Sequence, residues 1–433
     1  MLRSTLPKSI LNIYDRITDT ATPQYIVDMK FILEDGTVFP MDSQYINSIQ
    51  IDHKFHENII PKHTASIAIP LEAVPVLITH HQNLHMSLDV YLVAPTKERL
   101  VKTISETFYV IIQNLPDVQT FLSEMPAVTL EPSADTKLMV VDMELETQVN
   151  YDFHKTRCSI ILRDATVEDA LYVMAGTFGW NNTWIEKPDN DKTYKCIVLS
   201  PNKSFADMCN TLQSSEAYDG IYAGGCSCYV MNNTMYVLPE FTVSSYTKEA
   251  LFITVSNHDD DPSDGTTLYE NETIKAIVYD PVQTVSDFKM AAEDSNALQV
   301  IDPVKILDTP IPSDEVGMFI PNTSELVTLM DVGGVNSDGF THTVAKSRNS
   351  LNAEYRLKLN TLSESTMIWR NAVPNSILPH MKISQIIHTR NGDVVNKQGV
   401  PKEVNYLLSR NEGIEKCPTF SCMSTVVLIT SIT

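Results

Sequence analysis

The sequence predicts a mainly β protein that carries an α+β insert. Three observations lead there. Alternating apolar runs at short spacing fill residues 25–157, and the same alternation returns over 346–433. Between them, residues 160–241 give two hydroxyl-capped helix starts and a hairpin signal. The chain therefore divides into a β unit over 1–157, an α+β domain over 158–241, a connector or insert of unclear fold over 242–345, and a second β unit over 346–433.

The first β unit opens with "QYIVDMKFILEDGTVFPM", which alternates and turns at Asp35-Gly36, a good hairpin signal. "INSIQIDHKFHENIIPKHTASIAIP" adds two strand-like runs. "LHMSLDVYLVAP" places Leu84, Met86, Leu88 and Val90 on one face. "ETFYVIIQNL" and "TKLMVVDMELETQVNY" continue the alternation, and "VQTFLSEMP" between them reads as a short helical insert. Strands at this spacing predict an antiparallel barrel or sandwich.

The pattern changes at "RDATVEDALYVMAGTFGW". Thr166 is placed to N-cap a helix, with Asp169 at the third helical position reaching back to it. Asp is shorter than the preferred Glu, which weakens the expectation of that return bond. Ala170, Leu171, Met174 and Phe178 form the buried stripe, and Gly176 and Gly179 end the helix. The strand "YKCIVLS" follows. In "PNKSFADMCNTLQSS" the device recurs: Ser204 caps, Asp207 sits three residues on, and Phe205, Met208 and Leu212 face inward. "CSCYVM" and "MYVLPE" then flank a turn at Asn232-Asn233.

Residues 242–345 give weaker signals. "NHDDDPSDGTT" is an acidic loop, "TIKAIVYDPVQ" a strand, and "VSDFKMAAEDSNAL" a helix candidate capped by Ser286. In the last unit the alternation of Tyr355, Leu357 and Leu359 favours a strand. "MKISQIIHTRNGDVVNKQGVPKEVNYLLSRNEG" gives two strands about a turn at Asn391-Gly392, and "FSCMSTVVLITSIT" a terminal strand. This unit is a second antiparallel β unit, another barrel candidate.

Composition narrows function. The net charge of −22 argues against a free-standing nucleic-acid binder, which needs a basic excess to neutralise phosphates. The N-terminus has no apolar h-region, and no stretch is long and apolar enough to span a bilayer as a helix. Seven cysteines, an odd count, argue against a disulfide framework and for synthesis in a reducing compartment. Cys226-x-Cys228 and the Cys417 to Cys422 pair lack zinc-site spacing, so buried thiols are the expectation.

No catalytic, cofactor-binding or metal-binding residue is assigned. His80 and His81 are adjacent and would face opposite sides of a strand. Counted as a calcium loop from Asp259, position 6 is Asp264 rather than glycine. Glu168 and Asp169 are adjacent at a helix start and point apart, whereas paired glycosidase carboxylates must face each other across a sugar. "YAGGC" supplies glycines, but no following helix completes an anion site.

The order of parts resembles the tail and baseplate hub proteins of bacteriophages and contractile injection systems. That family includes the T4 baseplate hub, the late control protein D group and siphophage tail-associated proteins. The residues that carry the resemblance are Arg163, Asp164, Thr166 and Asp169, then Ser204, Asp207, Leu212, Tyr222, Tyr236 and Pro239. The match covers residues 160–241 and is looser over 25–157 and 350–433.

The resemblance implies two tube-like antiparallel β-barrels flanking the α+β domain. It further implies a homotrimer whose barrels make a pseudo-sixfold ring between tail tube and central spike. Partners would be the tail tube or its initiator, the cell-puncturing spike and baseplate wedge proteins, with phage DNA passing through without specific binding. The protein would be a virion component made in the host bacterial cytoplasm, and not an enzyme. Ending after the second β unit, it is expected to carry no cell-wall hydrolase. Competing readings are a baseplate wedge, arm or tail-tip protein and, further off, a cell-wall-degrading enzyme.

Overall fold

The computed structural model describes residues 24–70, 74–93, 100–113, 138–157, 159–180, 182–200, 203–213, 218–222, 225–240, 242, 251–256, 267–270, 273–278, 283–287, 362–388, 394–411 and 418–431. The helical insert expected at "VQTFLSEMP", the acidic loop, the strand expected around Tyr355 and the turn at Asn391-Gly392 lie outside them.

The first unit runs β1 (Gln24–Ile32), β2 (Val38–Met41), β3 (Ile46–Lys54), β4 (Lys62–Pro70), helix α1 (Val74–His80), β5 (His85–Val93), β6 (Leu100–Gln113) and β7 (Leu138–Thr147). β1 and β2 form the expected hairpin, with Ile32 opposite Val38 and Gly36 at φ +81° in the turn. Leu84, Met86, Leu88 and Val90 are all buried, as their spacing required. Two local expectations change. His80 ends a helix and His81 lies in the 3-10 turn after it, so neither is on a strand. The alternation of β7 stops at Thr147, whose side chain accepts from the Asn150 amide and caps helix α2 (Gln148–Lys155).

The central unit runs β8 (Ile160–Ala165), α3 (Val167–Phe178), β9 (Asn182–Ile185), β10 (Tyr194–Leu199), α4 (Met208–Gln213), β11 (Cys226–Met231) and β12 (Thr234–Pro239). β8 pairs β10 antiparallel, and β9 adds parallel to the β11–β12 hairpin. The two-residue turn Asn232-Asn233 has φ of +51° and +57°, the doubly left-handed geometry that matches strand twist.

Beyond it come β13 (Leu251–Ser256), β14 (Thr267–Glu270), β15 (Thr273–Val278), β16 (Gln283–Asp287), β17 (Leu362–Arg370), β18 (Ile383–His388), β19 (Val394–Arg410) and β20 (Phe420–Ser431). Ser286 lies inside β16, paired with Glu364 of β17, and not at a helix start. Strand pairing competes with helix there, and a partner strand decides it.

The two end units belong to one sheet. Its pairings run β1–β5–β6–β7–β4–β3–β19–β20 and return to β1 at Tyr25 opposite Phe420. The long strands β19 and β20 serve both units. Val404–Ser409 of β19 pair with β3, while its Val394–Gly399 pair with β18. β20 meets β1 at Phe420, while Met423–Ser431 pair with β17. Inward residues of every strand in the circuit fill one core, among them Tyr25, Ile51, Ile67, Leu88, Phe108, Met143, Tyr406 and Phe420. A second core lies in the central unit and contains Ala170, Leu171, Met174, Phe205, Met208 and Leu212.

Candidate functional site

The polar features of the central unit are built from its helix starts. The Thr166 hydroxyl accepts from the Asp169 amide at 3.2 Å, and the Asp169 carboxylate accepts from the Thr166 amide at 2.8 Å. Asp therefore does make the return bond. Those bonds hold the Asp169 carboxyl below the usual carboxylate range. At the other end Gly179 takes φ +85° and caps Ala175 and Gly176 carbonyls, while Gly176 stays within the helix. The second device has the same shape: the Asp207 carboxylate accepts from the Ser204 amide at 3.1 Å and from its hydroxyl at 2.8 Å. The short 3-10 turn Phe205–Asp207 then leads into α4. Both aspartates thus bond to the backbone and hydroxyl of their helix starts.

The glycine-rich stretch before β11 is held by side chains from within the unit. Gln213, at the end of α4, accepts from the Ile221 and Tyr222 amides and donates to the Tyr222 carbonyl. Asn190 donates to the carbonyls of Tyr218 and Gly220. Gly225, at φ +92°, could not carry a Cβ without meeting the Glu240 carboxylate. The Ile221 and Tyr222 amides are thus bonded within the unit. Among the described residues no three His, Cys, Asp or Glu side chains are placed to hold a metal ion.

The most developed polar arrangement is the seam where the three parts of the chain meet. The β11–β12 hairpin alternates its faces. Tyr229, Met231, Tyr236 and Leu238 join the large core, and Val230, Met235 and Val237 join the smaller one. On the seam side the Ser227 hydroxyl donates to the Phe55 carbonyl at 2.6 Å, and the Val230 amide to the Ile59 carbonyl at 2.7 Å. His53 of β3 is fully buried. Its Nε2 lies 3.1 Å from Asn375 Oδ1 and its Nδ1 3.0 Å from the Tyr229 hydroxyl. An amide oxygen can only accept, so Nε2 carries the proton and the Tyr229 hydroxyl donates to Nδ1.

Further bonds surround the seam, one of them between the two end units and the others made by the last unit within itself or to the start of the connector. Tyr25 donates to the Ala372 carbonyl, the Tyr406 hydroxyl accepts from the Ile377 amide at 3.2 Å, and His380 Nδ1 donates to the Thr242 carbonyl at 2.9 Å. The rings of His56 and His380 meet edge to face at 4.9 Å. Burial depresses every imidazole here: His53 and His380 to about 4, His63 to about 3 and His56 to about 2. These imidazoles are therefore neutral at ordinary pH. The geometry of the seam is that of a structural clamp, in which His53, Ser227 and Tyr25 each bond to a different part of the chain.

The residues that carry the hub resemblance occupy structural positions. Thr166, Asp169, Ser204 and Asp207 cap helices, and Leu212 and Tyr222 are buried in the smaller core. Tyr236 faces the large core, Pro239 ends β12 opposite Cys226, and Arg163 and Asp164 are exposed near the end of β8. The seam residues His53, Tyr229, Asn375 and His380 were not singled out from sequence. One signal was available: His53 is in phase with Ile49 and Ile51, and His63 with Ala65 and Ile67.

Comparison with solved structures gives alignments at low identity and low TM-score. A tail protein of Neisseria meningitidis aligns at TM-score 0.41 and 9% identity, over 93% of this chain and 96% of that one. A prophage tail protein of Shewanella oneidensis gives 0.45 and 9%, with the same coverage. A component of the type VI secretion system of E. coli gives 0.41 and 7%, over 90% of this chain and 74% of that one. No curated protein matches the sequence. Residues 11–308 match the family described as bacteriophage PBS1 gene 109 protein. That span exceeds half of the 433 residues, and the chain belongs to the bacteriophage PBS1 gene 109 protein family.

Proposed function

We propose that the protein is a structural component of a phage tail, the hub that joins the tail tube to the central spike. In this reading the chain forms a homotrimer, and each copy contributes two β units to a pseudo-sixfold ring. The observation that carries the reading is the sharing of β19 and β20. Two strands running through both end units hold those units at a fixed spacing within one subunit, as a ring of six positions built from three chains requires. Membership in a phage protein family and the clamped seam support it, because a part that transmits force benefits from rigid internal joints.

The ring would surround the path of phage DNA. The net charge of −22 would keep a passing polyanion from sticking to the wall. Partners on this reading are the tail tube or its initiator at one end, the spike at the other and baseplate wedge proteins around the rim. The protein would act without catalysis, as part of the virion. Immunogold labelling of intact particles with antibody to this chain tests the placement. Gold confined to the distal tail supports it. Particles that lack the chain, or gold on the head, would overturn it.

A further inference from the structure

The hairpin strand β11 places Cys226 and Cys228 on one face, two residues apart, and that face packs against α4. Cys209 lies on the buried side of α4, between Met208 and Leu212 in the same core. Cys209 belongs to the smaller core, Cys226 and Cys228 pack against that same core, and α4 is seated against β11. Three cysteines from two elements thus share one core. Cys209 is buried, while Cys226 and Cys228 are half-buried. The cluster is not placed to ligate a metal, and none of its members serves the seam.

We propose that this cluster is a thiol–disulfide exchange site that takes small disulfides and closes a bond between Cys209 and a cysteine of β11. Cys226 is the entry point, because it is half-buried and sits at the first position of the strand, after the Gly225 turn. Its thiolate attacks one sulfur of a low-molecular-weight disulfide, forming a mixed disulfide and releasing one small thiol. Cys209 then gives up its proton and attacks the Cys226 sulfur, releasing the second small thiol. Two protein thiols are oxidised to one disulfide, and the small disulfide is reduced to two thiols. Cys228 competes as an alternative partner of Cys209.

The environment sets the rate. The Cys226 thiol beside Cys209, and the Cys209 thiol beside Cys228, together with burial, push the Cys209 and Cys228 thiols well above the ordinary range. The closing step is therefore slow at neutral pH and accelerates as pH rises. The cluster stays reduced in a thiol-rich cytoplasm and oxidises outside it. The new bond would staple α4 to the hairpin that forms the seam.

The experiment uses the full chain, purified under reducing conditions, desalted and held with oxidised glutathione at pH 8. Alkylation in denaturant and non-reducing digestion are followed by mass spectrometry. The expected result is a peptide containing Cys209 joined to one containing Cys226 or Cys228, with a rise in Tm that dithiothreitol reverses. The double variant C226S/C228S keeps Cys209 but has no partner for it, so its cross-linked peptide disappears and its Tm no longer responds. Far-UV circular dichroism checks that it folds. If the double variant fails to fold, Cys209→Ser replaces it with the same expected loss. Cys209 recovered alkylated while glutathione sits only on Cys226 or the exposed Cys196 would overturn the proposal. So would Cys209 joined to any cysteine outside β11.

Discussion

The Tyr229 hydroxyl donates to Nδ1 of His53 at 3.0 Å while Nε2 of the same ring meets Asn375 at 3.1 Å. One imidazole thereby ties the central hairpin to both end units. Tyr229→Phe removes the donor and leaves a buried nitrogen without its partner, which costs about 1–3 kcal/mol. Urea denaturation of the wild type and the variant measures it. The loss should be smaller in a His53→Leu background, because the orphaned acceptor is then gone.

The seam should also make stability fall in acid. A buried imidazole with a depressed folded pKa binds fewer protons folded than unfolded below its ordinary value of 6.5. The stabilisation from His53 and His380 is complete above pH 6.5 and is lost as pH falls towards about 4. His63 and His56 extend the loss further down. Each group contributes a slope of about 1.4 kcal/mol per pH unit within its window. Easing of repulsion among the acidic surface residues works in the opposite direction. Urea midpoints measured between pH 7.5 and 4.5 should decline, and His53→Gln should flatten the decline.

The two ends of α3 should respond to substitution for different reasons. Thr166→Ala removes the hydroxyl that accepts from the Asp169 amide and should cost about 1 kcal/mol. Gly179 has φ +85° with open space where a Cβ would go. Gly179→Ala should therefore cost about 1–2 kcal/mol from backbone strain alone, with no steric clash. Gly179→Asn should recover part of that loss, since Asn tolerates the left-handed region. Thermal melts of the three variants decide the order.

Leu408 of β19 is fully buried and pairs with Ile49 of β3. Leu408→Ala should cost about 2–5 kcal/mol. If one sheet joins the end units, the variant should unfold in a single transition at a lower urea concentration. Two separate transitions, with only one of them moved, would contradict the shared sheet.

These positions also show what the sequence made legible. The caps at Thr166 and Ser204 rest on residues three apart, and the hairpin at Asn232-Asn233 on two neighbours, so local rules sufficed. The buried face of β5 followed from period-2 spacing. Helix α2 was missed because Leu138–Thr147 alternates strongly and masks the cap at Thr147. Ser286 was misread because its strand partner, Glu364, lies far along the chain. The same limit hid the pairing of β3 with β19: no local pattern says which distant strand completes a sheet. His53 and His63 share phase with buried neighbours, yet histidine carries no sign of burial by itself. The seam emerges only when strands from both ends of the chain are brought together.

The central claim is that three copies of this chain make a ring of six β units. Cryo-electron microscopy of the purified full-length protein, with its mass checked by sedimentation, tests that claim most directly. The account predicts a threefold particle in which each subunit places two β units around one opening lined by acidic side chains. A monomer or dimer without a threefold axis at high protein concentration, or a ring whose opening is neutral or basic, would contradict it.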